Sequence, residues 1–145
     1  MKIQILRRTP SHRQRPYFPI PIPAGPAAAI EQDAEWIDID SYISSGHEET
    51  VFVRATGLSM RSKYEAGIDD GDMLAVKLTG FAEPGDVVIA QVNGEFTIKR
   101  LKRHAHGLYL VPANEDYPLR RVSRQDDFRV WAVVSHVIHR LRRAA

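Results

Sequence analysis

Two strand-like segments joined by a pair of turn residues constrain the fold of this chain more than any other feature. Val87–Val92 and Glu95–Leu101 flank the dipeptide Asn93-Gly94. Asparagine and glycine tolerate positive φ at both central positions of a type I′ turn, so this dipeptide is a strong short-range signal for a β-hairpin. The sequence therefore predicts two antiparallel strands whose register is set by this turn.

Four more segments are typical of strands, because they are short, rich in β-branched or aromatic residues and separated by turn residues. They are Val51–Thr56, Met73–Leu78, Leu108–Val111 and Phe128–Leu141. Short strands at such spacing predict a mainly β fold of curved antiparallel sheets. A short helical turn, capped near Asp40, is predicted within residues 37–43.

The first 30 residues differ in composition from the rest of the chain, since they hold six of the nine prolines. Proline lacks an N–H donor and fixes φ, so we expect an extended, poorly packed arm over residues 1–30 and a β domain over 31–145. Basic residues in the arm are candidates for contact with nucleic acid, although short basic tails are more often only solvated. They are Lys2, Arg7, Arg8, Arg13 and Arg15.

Composition excludes several classes of site. Cysteine is absent, which rules out a disulfide framework, a thiolate nucleophile and a cysteine-based metal site. No apolar run approaches the roughly 20 residues that span a membrane, and prolines interrupt Tyr17–Ile22, so no secretory signal is predicted. We expect a cytoplasmic protein without membrane contact, cofactor or metal.

Ser59 is a candidate nucleophile. It follows a predicted strand and precedes residues 61–66, where one helical turn is predicted. A serine at such a junction can expose its hydroxyl, and the backbone N–H groups of Ser59 and Met60 are candidate donors to an oxyanion. From this pattern alone, a helix-capping serine is the favoured explanation of the same residue. Arg61 replaces the last glycine of the G-x-S-x-G motif, so that motif is absent.

Two kinds of base are available for this hydroxyl, which needs one to become a nucleophile. The histidines lie in no recognisable motif: His104 and His106 fall at a predicted hairpin turn, and His136 and His139 lie on the last predicted strand. The alternative is Lys99.

Alternation along the strand puts Lys99 on the same face as Thr97 and Leu101, opposite Phe96 and Ile98. An exposed lysine has a pKa near 10.4 and stays protonated at neutral pH, whereas burial lowers the pKa and favours the neutral base. From the pattern alone, an exposed strand lysine and a buried base both remain open.

An ordered set of motifs connects these two residues. The motifs are Ala55-Thr56-Gly57-Leu58-Ser59-Met60, Asp70-Gly71-Asp72-Met73-Leu74, Gly85-Asp86-Val87-Val88-Ile89-Ala90, Gly94-Glu95-Phe96-Thr97-Ile98-Lys99-Arg100-Leu101, Leu110-Val111-Pro112-Ala113-Asn114, Tyr117 and Val133-Val134. In this order they resemble the LexA/UmuD family of self-cleaving serine–lysine peptidases. The resemblance implies a domain of strongly curved β-sheets.

The resemblance also implies a mechanism. Ser59 would be the nucleophile, and buried, neutral Lys99 would be the general base. The scissile bond would join a small residue to glycine in the N-terminal segment, and Ala24-Gly25 fits that pattern. Pro26 follows and restricts Gly25 to extended conformations. The segment between Met60 and Asp70 is longer than the resemblance leads us to expect.

Chain length points to one branch of the family. LexA-type repressors carry a helix-turn-helix domain, which the short arm cannot hold, so the chain looks closer to UmuD, a subunit of SOS mutagenesis. That resemblance implies a homodimer, cleavage stimulated by a RecA filament on single-stranded DNA, and transfer of residues 25–145 to a Y-family (UmuC-type) translesion polymerase.

Other functions stay open at this stage. They include a non-catalytic accessory module of similar fold and a stand-alone regulator of a LexA-like repressor. A signal-peptidase-like enzyme would need the membrane anchor that the sequence lacks. A DNA-binding regulator would need a recognition helix, and none is predicted.

Overall fold

The computed structural model describes residues 13–17, 35–44, 49–64 and 67–141. These residues form two compact units, which divide between residues 44 and 49. In the smaller unit, strand β1 (Arg15–Tyr17) pairs antiparallel with β2 (Glu35–Ile37), and helix α1 (Ile39–Ser44) follows. The predicted boundary between arm and β domain falls at residue 30, outside the described ranges, and stays a prediction.

Asp38 caps α1. Its carboxylate accepts hydrogen bonds from the Asp40 N–H and the Ser41 hydroxyl, each at 3.1 Å. An aspartate at this position satisfies N–H groups that the first turn of a helix leaves unpaired. The predicted helical turn is therefore present, but its cap lies two residues before Asp40 and Ile37 belongs to β2. No helix in the described part of the chain has the length and apolar character needed to cross a membrane.

The larger unit is one seven-stranded antiparallel sheet with the strand order β3-β4-β9-β5-β6-β7-β8. Its strands are β3 (Thr50–Arg54), β4 (Met73–Lys77), β5 (Val87–Val92), β6 (Glu95–His104), β7 (Gly107–Val111), β8 (Arg120–Val122) and β9 (Phe128–Ile138). The predicted mainly β fold with antiparallel sheets is thereby confirmed. Three short strands, β1, β2 and β8, were not predicted.

The β5–β6 hairpin turns at Asn93-Gly94, as predicted. Both residues have positive φ, 51° and 86°. The Asn93 side-chain amide donates to Asp126 at 2.8 Å, and its carbonyl oxygen accepts the Asp127 N–H at 2.9 Å. Hydrogen bonds to Ser123 and Asn93 lower the pKa of Asp126 to about 2. These contacts fix the turn and hence the register of β6.

Strand β9 bends the sheet. Its pairing with β4 passes from Ala75↔His136 to Val76↔Val134, and a second register shift occurs against β5. An extra residue in one strand produces a β-bulge, which increases local twist and bends the strand. This accounts for the curvature predicted from the sequence.

Two core clusters form on the bent sheet. The first contains Ala55, Met60, Ile68, Leu74, Val76, Ile89 and Ala132. The second contains Val88, Ala90, Val92, Leu101 and Leu110. Consecutive β5 residues thus contribute to different clusters, which means that both faces of this central strand are covered. The residues between β3 and β4 contribute Met60 and Ile68 to the first cluster, and this anchors the segment that contains Ser59.

Candidate active site

Ser59 lies in a tight turn that follows β3. The Arg61 N–H donates to the Leu58 carbonyl oxygen at 3.1 Å and closes the turn, which we call the Ser59 loop (residues 57–61). Met60 is 6% exposed and packs in the first core cluster, whereas Ser59 is only partly buried. The loop is thus anchored by one apolar side chain while the neighbouring hydroxyl stays accessible.

The prediction of a helical turn after Met60 is wrong for residues 61–64, the described part of that segment, because they contain no helix. The Ile68 N–H donates to the Met60 carbonyl oxygen at 2.8 Å, so the chain folds back onto the Ser59 loop. A Cβ atom on Gly67 would lie 2.5 Å from that oxygen and 2.8 Å from the Ser62 nitrogen. Glycine permits this close approach of the backbone because it has no Cβ. The local sequence patterns that predict a helix give no information about such a long-range contact.

Strand β6 brings Lys99 to the Ser59 loop. Lys99 Nζ lies 2.9 Å from Ser59 Oγ, 2.9 Å from Thr97 Oγ1 and 3.0 Å from the carbonyl oxygen of Ile98. The side-chain contact between Lys99 and Thr97 confirms that they share one face of β6. Two side chains 40 positions apart in the sequence therefore meet at one point.

The three contacts match the bonding capacity of a neutral amine. A carbonyl oxygen can only accept, so it takes one N–H of Lys99, and Thr97 Oγ1 can accept the other. The lone pair of the neutral amine is then left for the O–H of Ser59. This arrangement would let Lys99 act as an acceptor toward Ser59.

The surroundings of Lys99 favour its neutral form. Burial lowers its pKa from the ordinary lysine value, because desolvation disfavours the charged amine. Among the residues that the structure describes, no carboxylate lies within ion-pair distance of Lys99. The described carboxylates therefore do not offset the effect of burial on the Lys99 pKa.

The N–H groups of Ser59 and Met60 lie at the centre of the turn. A hydrogen-bonded β-turn uses the N–H of its fourth residue and leaves those of its two central residues available. In the described ranges, neither of these N–H groups donates to a protein acceptor. They remain available, beside the Ser59 hydroxyl, to a negatively charged oxygen.

The start of the Ser59 loop is tied to the turn before β4. The Gly57 N–H donates to Asp70 Oδ1 at 2.8 Å, and Gly57 has a φ of 93°, which an L side chain rarely adopts. The Ala55 N–H donates to the Asp72 carbonyl oxygen, and the Gly71 N–H donates to the Ala55 carbonyl oxygen, each at 2.8 Å. The first two motifs of the sequence are therefore joined by hydrogen bonds.

Asn114 holds the other side of the Ser59 loop. Its backbone N–H donates to the Ser59 carbonyl oxygen and its side-chain amide donates to the Leu58 carbonyl oxygen, each at 3.0 Å. Its own side-chain oxygen accepts the Asp116 N–H at 3.0 Å. No role was assigned to this residue from the sequence. The one feature that could have pointed to it is its place at the end of a family motif.

One group of side chains in the described residues could hold a metal ion: Asp69, Asp72 and His139, whose ligand atoms lie within 4.8 Å of one another. These atoms already have protein partners. His139 Nδ1 lies 2.6 Å from Asp72 Oδ1, and Arg61 Nε donates to Asp69 Oδ1 at 2.7 Å. The other Asp72 oxygen accepts the Asp69 N–H at 2.8 Å. These contacts hold in place the end of the segment that follows the Ser59 loop.

Ser59 and Lys99 open into a cleft of about 460 Å³. Its lining includes Val53, Ala55, Met60, Ile89, Phe96 and Ile98. Among the described strands, β3 pairs with β4 alone and forms one edge of the sheet, and residues 53–57 line the cleft along that edge. Arg54, Glu95 and Thr97 also line it, so the cleft combines apolar and polar walls, an unpaired strand edge and the contact between Ser59 and Lys99.

The other candidate residues lie apart from this contact. His104 ends β6 and His106 lies in the β6–β7 turn, so the predicted hairpin there is confirmed. His136 lies on β9, and His139 follows it and contacts Asp72. None of these four described histidines hydrogen-bonds Ser59. Ala24 and Gly25 lie outside the described residues.

Comparison with known proteins assigns the family. Residues 18–135 match the Peptidase S24-like family. The chain belongs to that family. It also shows 38% identity to Protein ImpA of Salmonella typhimurium over 129 residues, which covers 88% of this chain and 86% of ImpA. Protein SamA of the same species is 34% identical over 134 residues, covering 92% and 91% of the two chains.

The Peptidase S24-like family also connects the chain to repressors. The LexA repressor of Delftia acidovorans is 44% identical over 78 residues, which cover 54% of this chain but only 34% of that repressor. ImpA and SamA thus align along nearly the whole chain, whereas the similarity to LexA is confined to about half of it. These matches confirm the resemblance to the LexA/UmuD-type family.

Proposed function

We propose that this chain is a serine endopeptidase that cleaves its own Ala24–Gly25 bond, with Ser59 as nucleophile and Lys99 as general base. The observation that carries this proposal is the 2.9 Å contact between Lys99 Nζ and Ser59 Oγ within a cleft, in a chain of the Peptidase S24-like family. A base within hydrogen-bond reach of a serine hydroxyl is the geometric requirement for nucleophilic catalysis.

In the proposed reaction, neutral Lys99 takes the hydroxyl proton as Ser59 Oγ attacks the Ala24 carbonyl carbon. The N–H groups of Ser59 and Met60 stabilise the oxyanion of the tetrahedral intermediate. Protonated Lys99 gives its proton to the departing nitrogen of Gly25, which leaves Ala24 esterified to Ser59. A water molecule then loses a proton to Lys99 and attacks the ester, and Lys99 returns that proton to Ser59 Oγ as the arm leaves with a free carboxylate.

The substrate segment docks as an extended strand. The exposed edge of β3 can supply main-chain hydrogen bonds to a strand added beside it, and residues 53–57 continue that edge toward Ser59. The apolar side chains in the cleft lining can pack against small residues such as those at the proposed bond. If the docked state is only partly populated, the observed rate falls by that fraction, and a partner that favours docking raises it.

Intact mass spectrometry of the purified full-length chain, incubated at alkaline pH, tests the proposal. The expected product is residues 25–145, with residues 1–24 as the second fragment. Ala24→Asp is a suitable control, because it puts a larger, charged side chain beside the scissile bond, where the proposal requires a small one. An unchanged mass after prolonged incubation, or a cut at another bond that persists in this control, would overturn the assignment.

Family resemblance extends the proposal to a biological setting. The chain acts in the cytoplasm as a homodimer in the SOS response, a RecA filament on single-stranded DNA stimulates its cleavage, and the shortened product joins a Y-family translesion polymerase. The nearly full-length alignments with ImpA and SamA, against partial alignment with LexA, support an UmuD-like role over a repressor. Cleavage assays with and without activated RecA test this, and equal rates would contradict it.

Asn114→Ala is expected to slow self-cleavage by about 10- to 100-fold, because the Leu58 carbonyl loses the Asn114 amide, one of its two donors, and a small misplacement of a reacting group is costly. The cleavage rate and the thermal unfolding curve measure this effect. Asp116→Ala is the matched control, since Asp116 contacts Asn114 through its backbone N–H, which the substitution retains. Equal cleavage rates for the two variants would show that the Asn114 side chain does not position the Ser59 loop.

Gly67→Ala is expected to destabilise the fold by about 1–3 kcal/mol and to slow cleavage, since the new methyl group meets backbone atoms of the Ser59 segment. Thermal unfolding and a cleavage time course measure the two effects. Gly80→Ala is the control, because its Cβ would meet only the Val130 carbonyl oxygen, at an ordinary 3.7 Å. Wild-type stability and cleavage rate in the Gly67→Ala variant would show that the backbone of the Ser59 segment does not come this close to residue 67.

A further inference from the structure

A second surface of the larger unit carries basic and aromatic side chains. In the pairing of β6, β7 and β8, Lys102 lies opposite Tyr109, and Tyr109 lies opposite Arg121. Directly paired residues project from the same side of a sheet, so these three side chains form one row. Arg100 and His104, two positions on either side of Lys102, project from that side as well. We call these five residues the basic face.

The opposite side of the same strands belongs to the protein core. Leu101 pairs with Leu110, which are 5% and 1% exposed and belong to the second core cluster. Leu108 and Val122 pack against that cluster from neighbouring positions. The basic face is therefore the solvent side of an amphipathic three-stranded region, and Lys102 and Arg121 on it are exposed.

Contacts on the basic face order its side chains. The rings of His104 and Tyr109 meet edge to face with centroids 5.4 Å apart. The Arg121 guanidinium donates to the His106 carbonyl oxygen and lies over Gly107, where a Cβ would come within 3.0 Å of Arg121 Nε. The aromatic rings and the guanidinium thus lie side by side.

In the part of the chain that the structure describes, no carboxylate neutralises the charges of the basic face. Within the described ranges, no ion pair involves Arg100, Lys102 or Arg121. Arg100 donates to the Gly85 carbonyl oxygen, a neutral acceptor that leaves its charge in place. A row of cations beside aromatic rings is the combination that binds a phosphate backbone while bases stack on the rings.

We propose that the basic face binds single-stranded nucleic acid, with Arg100, Lys102 and Arg121 on the phosphates and Tyr109, supported by His104, as a stacking platform. Unpaired bases are required, because a base within a duplex cannot stack on a protein ring. The face belongs to β6, β7 and β8, whereas the Ser59 contact is made by Lys99, which projects from the opposite side of β6. This inference does not depend on the proposed peptidase activity.

Fluorescence anisotropy with a labelled oligothymidylate of about 15 nucleotides tests the proposal. All proteins carry Ser59→Ala, so the arm stays intact, and binding is followed from about 0.05 to 0.2 M salt. The double variant Lys102→Glu with Arg121→Glu is expected to weaken binding at least about tenfold. The slope of log affinity against log salt concentration is expected to become shallower by about 1.4, because two phosphate contacts are lost. Arg129→Glu with Arg140→Glu, which changes net charge equally at exposed residues elsewhere, is expected to weaken binding far less.

The ring is tested separately. Tyr109→Ala is expected to weaken oligothymidylate binding about fivefold or more, whereas Tyr109→Phe retains the stacking ring and the affinity. A polyglutamate peptide of similar length is the competing polyanion. Equal binding of that peptide, with no effect of Tyr109→Ala, would assign the face to an acidic protein and overturn the proposal. No oligothymidylate binding at low salt, or equal losses in the two charge-reversal pairs, would also overturn it.

Discussion

Lys99→Met is expected to abolish self-cleavage while the β domain stays folded. Methionine retains the length and the apolar contacts of the lysine side chain but removes the only base within reach of Ser59 Oγ among the described residues. Loss of a positioned general base costs about 10²- to 10⁴-fold in rate. Ser59→Ala removes the nucleophile itself and is expected to leave the chain uncut. Intact mass spectrometry over a time course at alkaline pH measures both variants.

Matched controls separate chemistry from folding. Lys77→Met makes the same change at another partly buried strand lysine, on β4, and is expected to cleave at the wild-type rate. Lys99→Arg is expected to be as inactive as Lys99→Met, because a guanidinium stays charged and cannot accept a proton. Cleavage by Lys99→Met at the rate of the Lys77 variant would show that Lys99 is not the general base.

The rate of unassisted self-cleavage is expected to rise with pH. Burial lowers the pKa of Lys99, but below that pKa most molecules carry the protonated amine, which is inert as a base. The neutral fraction grows about tenfold per pH unit in this range, and the rate follows it. It levels off once pH passes the Lys99 pKa, which lies below the ordinary value of 10.5.

Single-turnover cleavage rates across neutral to alkaline pH measure this profile. Circular dichroism at each pH value shows whether the fold persists, and Ser59→Ala at the highest pH corrects for hydrolysis that does not involve the site. A rate that stays level or declines over the whole range would be incompatible with a lysine base.

The sequence predicted the β5–β6 hairpin because its signals are local. Asn93 and Gly94 adopt the positive φ angles that their chemistry permits, and the strands on either side alternate. β8 could not be predicted in the same way, since Arg120–Val122 is short and owes its strand conformation to pairing with β7. The missing helix after Met60 has a similar origin, because a long-range bond from Ile68 determines the backbone there.

The contact between Ser59 and Lys99 required more than local patterns. Alternation placed Lys99 beside Thr97, but only the fold brings a loop after β3 to the face of β6. Family resemblance predicted that pairing from the order of the motifs. Neither source predicted the hydrogen bonds from Asn114, because they join segments that are adjacent only in the folded chain.

The central claim is that Lys99, whose pKa is lowered by burial, contacts Ser59 and acts as its base. An NMR titration of the lysine side chains in the Ser59→Ala chain measures that pKa, and Lys99→Met assigns the signal among the few lysines present, Lys2, Lys63, Lys77, Lys99 and Lys102. We expect one lysine to titrate clearly below the others and to vanish in the Lys99 variant. Titration of all the lysines together near their ordinary value would contradict the account.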